Sequence, residues 1–208
     1  MLTAYIMGWG IPLTPVMLLL INVLGDGIPG LRLAHEQSDA RIMKRKPVGR
    51  DENFLGDGLL WVILQQTAAF SVVGLAAYYC GAYIQMSNMV PTHIIGQTMA
   101  FLVVAFTSIV HIFTVRSRKS IRHTPIHYNM PLLYSALAML VLFASMALLP
   151  PLQFIFGLTA IGGMHWLIVA GLTTIPTIVA EIVKYISNRH DATAHRQRLI
   201  HHETRERI

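Results

Sequence analysis

Residues 11–33, IPLTPVMLLLINVLGDGIPGLRL, form an apolar run that decides the fold and contains one carboxylate, that of Asp26. The run is long enough to cross a bilayer, which takes about 20 residues. Because an unpaired carboxylate is costly to bury in hydrocarbon, its presence indicates an ion or substrate pathway. Asn22 lies four residues earlier and would share a face with Asp26 in an unbroken helix. The sequence therefore predicts a polar site at Asn22 and Asp26.

Residues that disfavour a regular helix surround this pair, namely Gly25, Gly27, Pro29 and Gly30. A helix that opens here frees backbone carbonyls, which can join the amide and carboxylate side chains as hard oxygen ligands for a cation. We therefore expect the helix to open near Asp26 and to bind a cation there.

The composition predicts a membrane protein. Of the 208 residues, 54% are hydrophobic and only 12% are charged, whereas soluble domains have roughly 25% charged residues. The predicted fold class is all-α, a polytopic transmembrane helix bundle with five complete spans and a short N-terminal stub. The one cysteine, Cys80, excludes an intramolecular disulfide, and its apolar surroundings favour a packing role.

The basic residues predict the topology. A formal net charge of +6 is compatible with nucleic-acid binding, but all 16 Lys and Arg fall within residues 32–50, 116–122 and 184–207. This asymmetry is typical of cytoplasmic loops. We therefore expect a multi-pass protein with its N-terminus outside and its C-terminus in the cytoplasm. Its expected partner is the lipid bilayer, with attraction to anionic lipids as a secondary effect, and no nucleic acid.

The chain divides into a membrane domain, residues 1–188, and a polar cytoplasmic tail, residues 189–208. Residues 1–9 are interpreted as the last turns of a helix whose beginning is missing. The predicted spans lie near residues 13–31, 59–83, 95–115, 132–149 and 164–183. The tail is rich in histidine but has no cysteine and no regular ligand spacing, so a solvated tail is favoured over a metal site.

Other polar residues within the spans favour structural roles. Small residues follow one side of the second span and predict close helix packing: Thr67, Ser71, Gly74 and Gly81. Gln65 and Gln66 are interpreted as interhelical hydrogen-bond donors. His111, near the basic end of the third span, is interpreted as satisfied or partly hydrated rather than as a metal ligand.

Three stretches contain the motifs of a known family. They are residues 12–47, PLTPVMLLLINVLGDGIPGLRLAHEQSDARIMKRKP, residues 101–121, FLVVAFTSIVHIFTVRSRKSI, and residues 178–190, IVAEIVKYISNRH. They resemble, in that order, the sixth span with its cytoplasmic loop, the eighth span with its exit, and the end of the tenth span of P-type cation pumps. The likeness is greatest to bacterial calcium-transporting ATPases of the plasma-membrane type, which implies a bacterial plasma membrane.

The resemblance implies a cation site. The family's coordinating Asn and Asp of the sixth span fall on Asn22 and Asp26. Gly25 stands where many relatives have Thr, which removes one oxygen ligand. Ser108 stands where reticulum-type calcium pumps have Glu, so that Ser108 is a minor candidate and a single ion site is favoured. Calcium is the expected cation, although the loop after the first complete span also resembles that of sodium/potassium pumps.

The sequence lacks the parts of such a pump that handle ATP. It has neither an Asp-Lys-Thr-Gly-Thr phosphorylation sequence nor a Gly-rich phosphate loop, so no catalytic residue and no resident cofactor are expected. ATP and Mg would act only through missing N-terminal domains. The favoured hypothesis is the C-terminal membrane portion of a calcium pump, not an enzyme by itself. The alternatives are an autonomous structural or regulatory membrane module and an ATP-independent channel or carrier.

Overall fold

The computed structural model describes residues 2–34, 59–85, 90–115 and 130–206, which contain helices and connecting segments but no strand. The helices are α1 Leu2–Ile6, α2 Pro15–Leu20, a π-helical segment Ile21–Gly27, α3 Ile28–Ala34, α4 Leu59–Tyr83, α5 His93–Val115, α6 Met130–Leu148, α7 Pro150–Phe156 and α8 Gly163–Glu206.

Five helical stretches are long and apolar enough to cross a membrane: Pro15–Ala34, Leu60–Tyr83, His93–Thr114, Met130–Leu148 and Gly163–Lys184. The predicted all-α polytopic bundle with five spans is therefore confirmed, and the chain is a multi-pass membrane protein. The first span ends three residues later than expected. We call the end of the bundle next to the three Lys and Arg clusters the basic end, and the opposite end the neutral end.

Helix α5 is the centre of the bundle. Of its span, 61% of the residues are buried, against 17% to 33% for the other four spans. It packs against α4, α6, α8 and the π-helical segment. Its large apolar side chains are completely buried in the main core: Met99, Phe101, Leu102, Val103 and Ile109. Most of the apolar surface of the outer helices is left to face lipid, as expected for a membrane bundle.

The closest helix contact lies where α4 crosses α5. A Cβ built on Gly81 would lie 2.8 Å from the Cα of Gly96, and one built on Gly74 would lie 3.2 Å from Val104 Cγ2. The glycines of the small-residue stripe thus pack against a neighbouring helix as predicted. Thr67 and Ser71 of the same stripe are instead exposed.

The neutral end is held by hydrogen bonds to the connection between α1 and α2. The Tyr78 hydroxyl donates to the Trp9 carbonyl and lies 2.9 Å from His93 Nδ1. Gln97 Nε2 donates to the Ile11 carbonyl at 2.7 Å. Thr14 then begins α2 as an N-cap, accepting from the Met17 amide.

The last span begins at Gly163, and its helix continues well past the apolar part. Helix α8 reaches Glu206 as one element and contains Pro176. Side chains beyond Lys184 lie outside the described part, as do residues 35–58 and 116–129. The predictions for the histidine-rich tail and for the basic loops therefore remain predictions.

Candidate cation site at the π-helical segment

The first span does not open at Asp26 as expected, because the chain remains helical from Pro15 to Ala34. Its middle, Ile21–Gly27, winds instead as a π-helix. A π turn contains one residue more than an α turn, and such turns occur frequently at functional sites. The wider turn keeps the chain helical just before Pro29, which has no N–H to donate to the preceding turn. Helix-breaking residues thus produce a local widening rather than a gap.

The π-helical segment has one buried side and one open side. Gly25 is buried, and a Cβ built on it would lie 3.6 Å from Phe143 Cε2 of α6. Asn22 and Asp26 are both exposed, although Asp26 lies about midway along its span. The described chain therefore places the carboxylate at the expected depth but does not itself cover it.

Asp26 has a polar neighbour on the central helix. Its carboxylate interacts with the hydroxyl of Ser108, which is half-buried on α5. The structure thus brings together the strong candidate and the minor candidate of the sequence analysis, with Asn22 one turn away on the same side of the π-helical segment. Carboxylate, hydroxyl and amide oxygens are the hard ligands that calcium prefers.

These donors do not complete a cage. Calcium takes about 6 to 8 oxygen ligands, and the three side chains supply fewer. Within the described ranges, no group of three or more His, Cys, Asp or Glu side chains is placed to hold a metal ion. The three side chains alone therefore do not form a complete cation site.

The face of α5 that bears Ser108 also contacts α4. Val104 and Ser108 lie four residues apart on one face of α5; Val104 packs near Gly74 of α4, and Ser108 contacts Asp26. This face of α5 therefore has α4 and the π-helical segment as neighbours. The spacing of residues along α5 does not predict which helix packs against each of its faces, because that depends on tertiary packing.

Comparison with known proteins identifies the family. The model of the family described as "Cation transporting ATPase, C-terminus" matches residues 10–186. Calcium-transporting ATPase 1 of Bacillus cereus is 33% identical over 193 residues, which cover 87% of this chain and 22% of the relative. Calcium-transporting ATPase of Bacillus subtilis is 28% identical over 179 residues, covering 86% of this chain and 20% of the relative.

A more distant relative, human calcium-transporting ATPase type 2C member 1, is 26% identical over 187 residues, covering 88% of this chain and 20% of the relative. The chain thus spans about a fifth of the length of the curated relatives it matches, here 20% to 22%. The matched part of the bacterial relatives is their C-terminal part. These findings confirm the resemblance seen in the sequence, and the chain belongs to the family formed by the C-terminal membrane region of cation-transporting ATPases.

Proposed function

We propose that this chain is the membrane portion of a P-type calcium pump and that it supplies Asn22, Asp26 and Ser108 to the intramembrane site of the transported calcium. The observation that supports this most directly is the pairing of Asp26 with Ser108 at the middle of a span. Ionisable residues at that depth mark ion pathways in membrane proteins. The calcium-transporting relatives agree with this choice of ion.

The remaining ligands are proposed to come from the N-terminal portion of the pump. Asn22 and Asp26 are exposed, and Asp26 lies beside Ser108 on α5. Exposed to lipid, a charged carboxylate at this depth would be strongly unfavourable. One membrane helix packed against the exposed side of the π-helical segment would cover both side chains and could add its own oxygen atoms. The site would therefore be completed by assembly rather than by a change within this chain.

The N-terminal portion and this chain would carry out different steps of transport. The missing domains would bind ATP and Mg and undergo phosphorylation, whereas this chain would bind and release the cation. The basic end would face the cytoplasm of a bacterial cell, with the N-terminus outside, because basic loops are retained on the cytoplasmic side.

Co-expression tests the proposal. The chain is produced together with an N-terminal portion that contains the phosphorylation, nucleotide-binding and actuator domains, and ATP-dependent calcium uptake is measured in membrane vesicles. Restored uptake that is abolished by Asp26→Asn supports the proposal. The matched control is Thr174→Val, since Thr174 is exposed on α8 and bonds only to its own helix, at Gly171.

Other outcomes would favour the alternatives. If both portions insert correctly and no uptake is restored, the pump proposal fails. An isolated chain that is monodisperse and stable would then favour an autonomous module. Calcium flux through proteoliposomes that contain this chain alone would favour a channel or carrier.

A further inference from the structure

The connection between α6 and α8 presents an apolar surface at the neutral end. On helix α7, Pro150–Phe156, the side chains of Phe154 and Ile155 are 91% and 65% exposed. In the described part of the chain, no large hydrophobic side chain is more exposed than Phe154. Leu148 and Leu149, which directly precede α7, are exposed as well. We call these four side chains, Leu148, Leu149, Phe154 and Ile155, the α7 patch.

The other side of α7 is bonded to the bundle. Leu152 packs against the main core, and Gln153 Nε2 donates to the Ala147 carbonyl of α6 at 2.7 Å. Just after α7, the Thr159 amide donates to Thr98 Oγ1 of α5 at 3.1 Å. Contacts with α5 and α6 on both sides of the patch therefore hold it in one orientation.

The length of α8 relates this connection to the bilayer. The hydrocarbon core is about 30 Å thick, and an α-helix crosses it in about 20 residues. Lys184 ends the apolar part of α8, and a lysine at a helix end keeps its ammonium group at the membrane boundary. About 20 residues back along α8 lies Met164, one residue after the helix begins at Gly163. The opposite boundary therefore lies where the α7 connection enters α8.

Two further features place the boundary at the same level. Helix α6, Met130–Leu148, has 19 residues, which is just enough to cross the hydrocarbon core, so α7 begins where the core ends. At the same end of the bundle, the ring of Trp9 lies 5.0 Å and 6.4 Å from the rings of Tyr79 and Tyr83, measured between centroids. Trp and Tyr rings concentrate at the headgroup level of membranes.

We propose that α7 lies in the headgroup region at the neutral end and that the α7 patch inserts among the acyl chains of the neighbouring lipids. Interfacial helices insert their apolar face about 5–10 Å into this boundary. The patch continues the exposed apolar surface of the adjoining spans, which includes Val141 on α6 and Leu167 on α8. No Lys, Arg, Asp or Glu occurs between Arg122 and Glu181, so no formal charge opposes insertion.

The partner of the patch is thus lipid rather than water or another protein. An apolar patch left in water would be unusual, because large exposed apolar patches mark sites of interaction. Continuity with the lipid-facing surface of α6 and α8 favours the bilayer as that partner. The inference rests on the position of α7 and holds whether or not the chain transports calcium.

Spin-label accessibility tests the proposal. In a Cys80→Ala background, Phe154→Cys and Ile155→Cys are each labelled with a nitroxide, and the full chain is reconstituted into vesicles of phosphatidylcholine and phosphatidylglycerol. The collision rates of the nitroxide with oxygen, which concentrates among acyl chains, and with a polar nickel chelate, which stays in water, are then measured.

Three control positions calibrate these rates. Leu167→Cys is 70% exposed within the span of α8 and reports on lipid. Ala34→Cys is exposed two residues beyond Arg32 and reports on water at the basic end. Ile109→Cys is 0% exposed on α5 and reports on the protein interior.

The expected ratio of oxygen to nickel collisions at Phe154→Cys and Ile155→Cys is at least about tenfold higher than at Ala34→Cys, because a polar chelate is costly to transfer into acyl chains. A ratio equal to that at Ala34→Cys would place the patch in water. Protection from both reagents, as at Ile109→Cys, would place it against protein. Either of these results would overturn the proposal.

A second measurement needs no substitution and so does not depend on how the variants fold. The unmodified chain is reconstituted with a phospholipid that carries a diazirine near its glycerol backbone, and the residues that react on illumination are identified by mass spectrometry. We expect reaction at Phe154 and Ile155 but not at Leu158, which is 7% exposed. No reaction at Phe154 and Ile155 would overturn the proposal. Neither measurement involves calcium, so failure of this proposal and failure of the pump proposal can be distinguished.

Discussion

The hydroxyl of Ser108 on α5 lies beside the carboxylate of Asp26 on the π-helical segment, so the central helix reaches the candidate cation site. If both oxygens bind calcium, Ser108→Ala should weaken calcium binding without preventing insertion. Hydrogen bonds and ligands at charged groups contribute about 1.5 to 3 kcal/mol, which corresponds to a loss of affinity of roughly tenfold or more.

The calcium concentration for half-maximal uptake by the reconstituted pump measures this effect. Ser145→Ala is the matched control, because the Ser145 hydroxyl bonds only to its own helix, at the Leu142 carbonyl. An unchanged calcium dependence in Ser108→Ala would remove Ser108 from the site.

The crossing of α4 and α5 should not tolerate a methyl group at Gly96. A Cβ there would lie 2.6 Å from the Tyr78 carbonyl oxygen, and backbone cannot move as easily as the end of a side chain. We expect Gly96→Ala to destabilise the bundle by about 1 to 3 kcal/mol, the usual cost of overpacking.

Thermal unfolding in detergent measures the loss of stability in Gly96→Ala. Gly171→Ala is the control, since a Cβ built there meets nothing within 4 Å. That variant should melt at the same temperature or higher, because alanine is the better helix former. Equal melting temperatures for the two variants would argue against the close crossing.

Tyr78→Phe should loosen the neutral end. The change deletes the hydroxyl that donates to the Trp9 carbonyl and contacts His93 Nδ1. The expected cost is about 1 kcal/mol for each hydrogen bond lost. Hydrogen exchange of the connection between α1 and α2 should rise. Tyr79→Phe is the control, because Tyr79 contacts Trp9 through its ring, and faster exchange there as well would assign the effect to the aromatic cluster.

Lys184→Met should destabilise the basic end of α5. The Lys184 ammonium donates to the Thr114 carbonyl in the last turn of that helix, where carbonyls lack partners within the helix. We expect a lower melting temperature for Lys184→Met and recovery in Lys184→Arg, which keeps a positively charged donor. A Met variant as stable as the wild type would show that the bond contributes nothing measurable.

The sequence predicts the spans well, because apolar length is a local property. The helix predicted near residues 59–83 corresponds to α4 Leu59–Tyr83. The polar side at Asn22 and Asp26 also follows from local spacing. The π-helical segment does not follow from local spacing. Gly25, Gly27 and Pro29 indicate that a regular helix is disfavoured, but whether the helix opens or widens depends on packing against α5 and α6.

Contacts between residues that are far apart in the sequence could not be predicted from it. Trp9 and Tyr78 are 69 positions apart, and nothing local pairs a tyrosine hydroxyl with that carbonyl. Conversely, the sequence places Asp26 within an apolar run but does not show that its side chain is exposed in the structure.

The π-helical segment sets the angular register between the two halves of the first span. An α-helix advances about 100° per residue, so deleting one residue within Ile21–Gly27 would wind the span into a regular helix and rotate α3 relative to α2 by roughly that angle. The contact of α3 with α6 and the approach of Asp26 to Ser108 could not then both be kept. The extra residue of the π turn therefore allows one continuous helix to pack against α6 through α3 and to hold Asp26 beside Ser108 of α5.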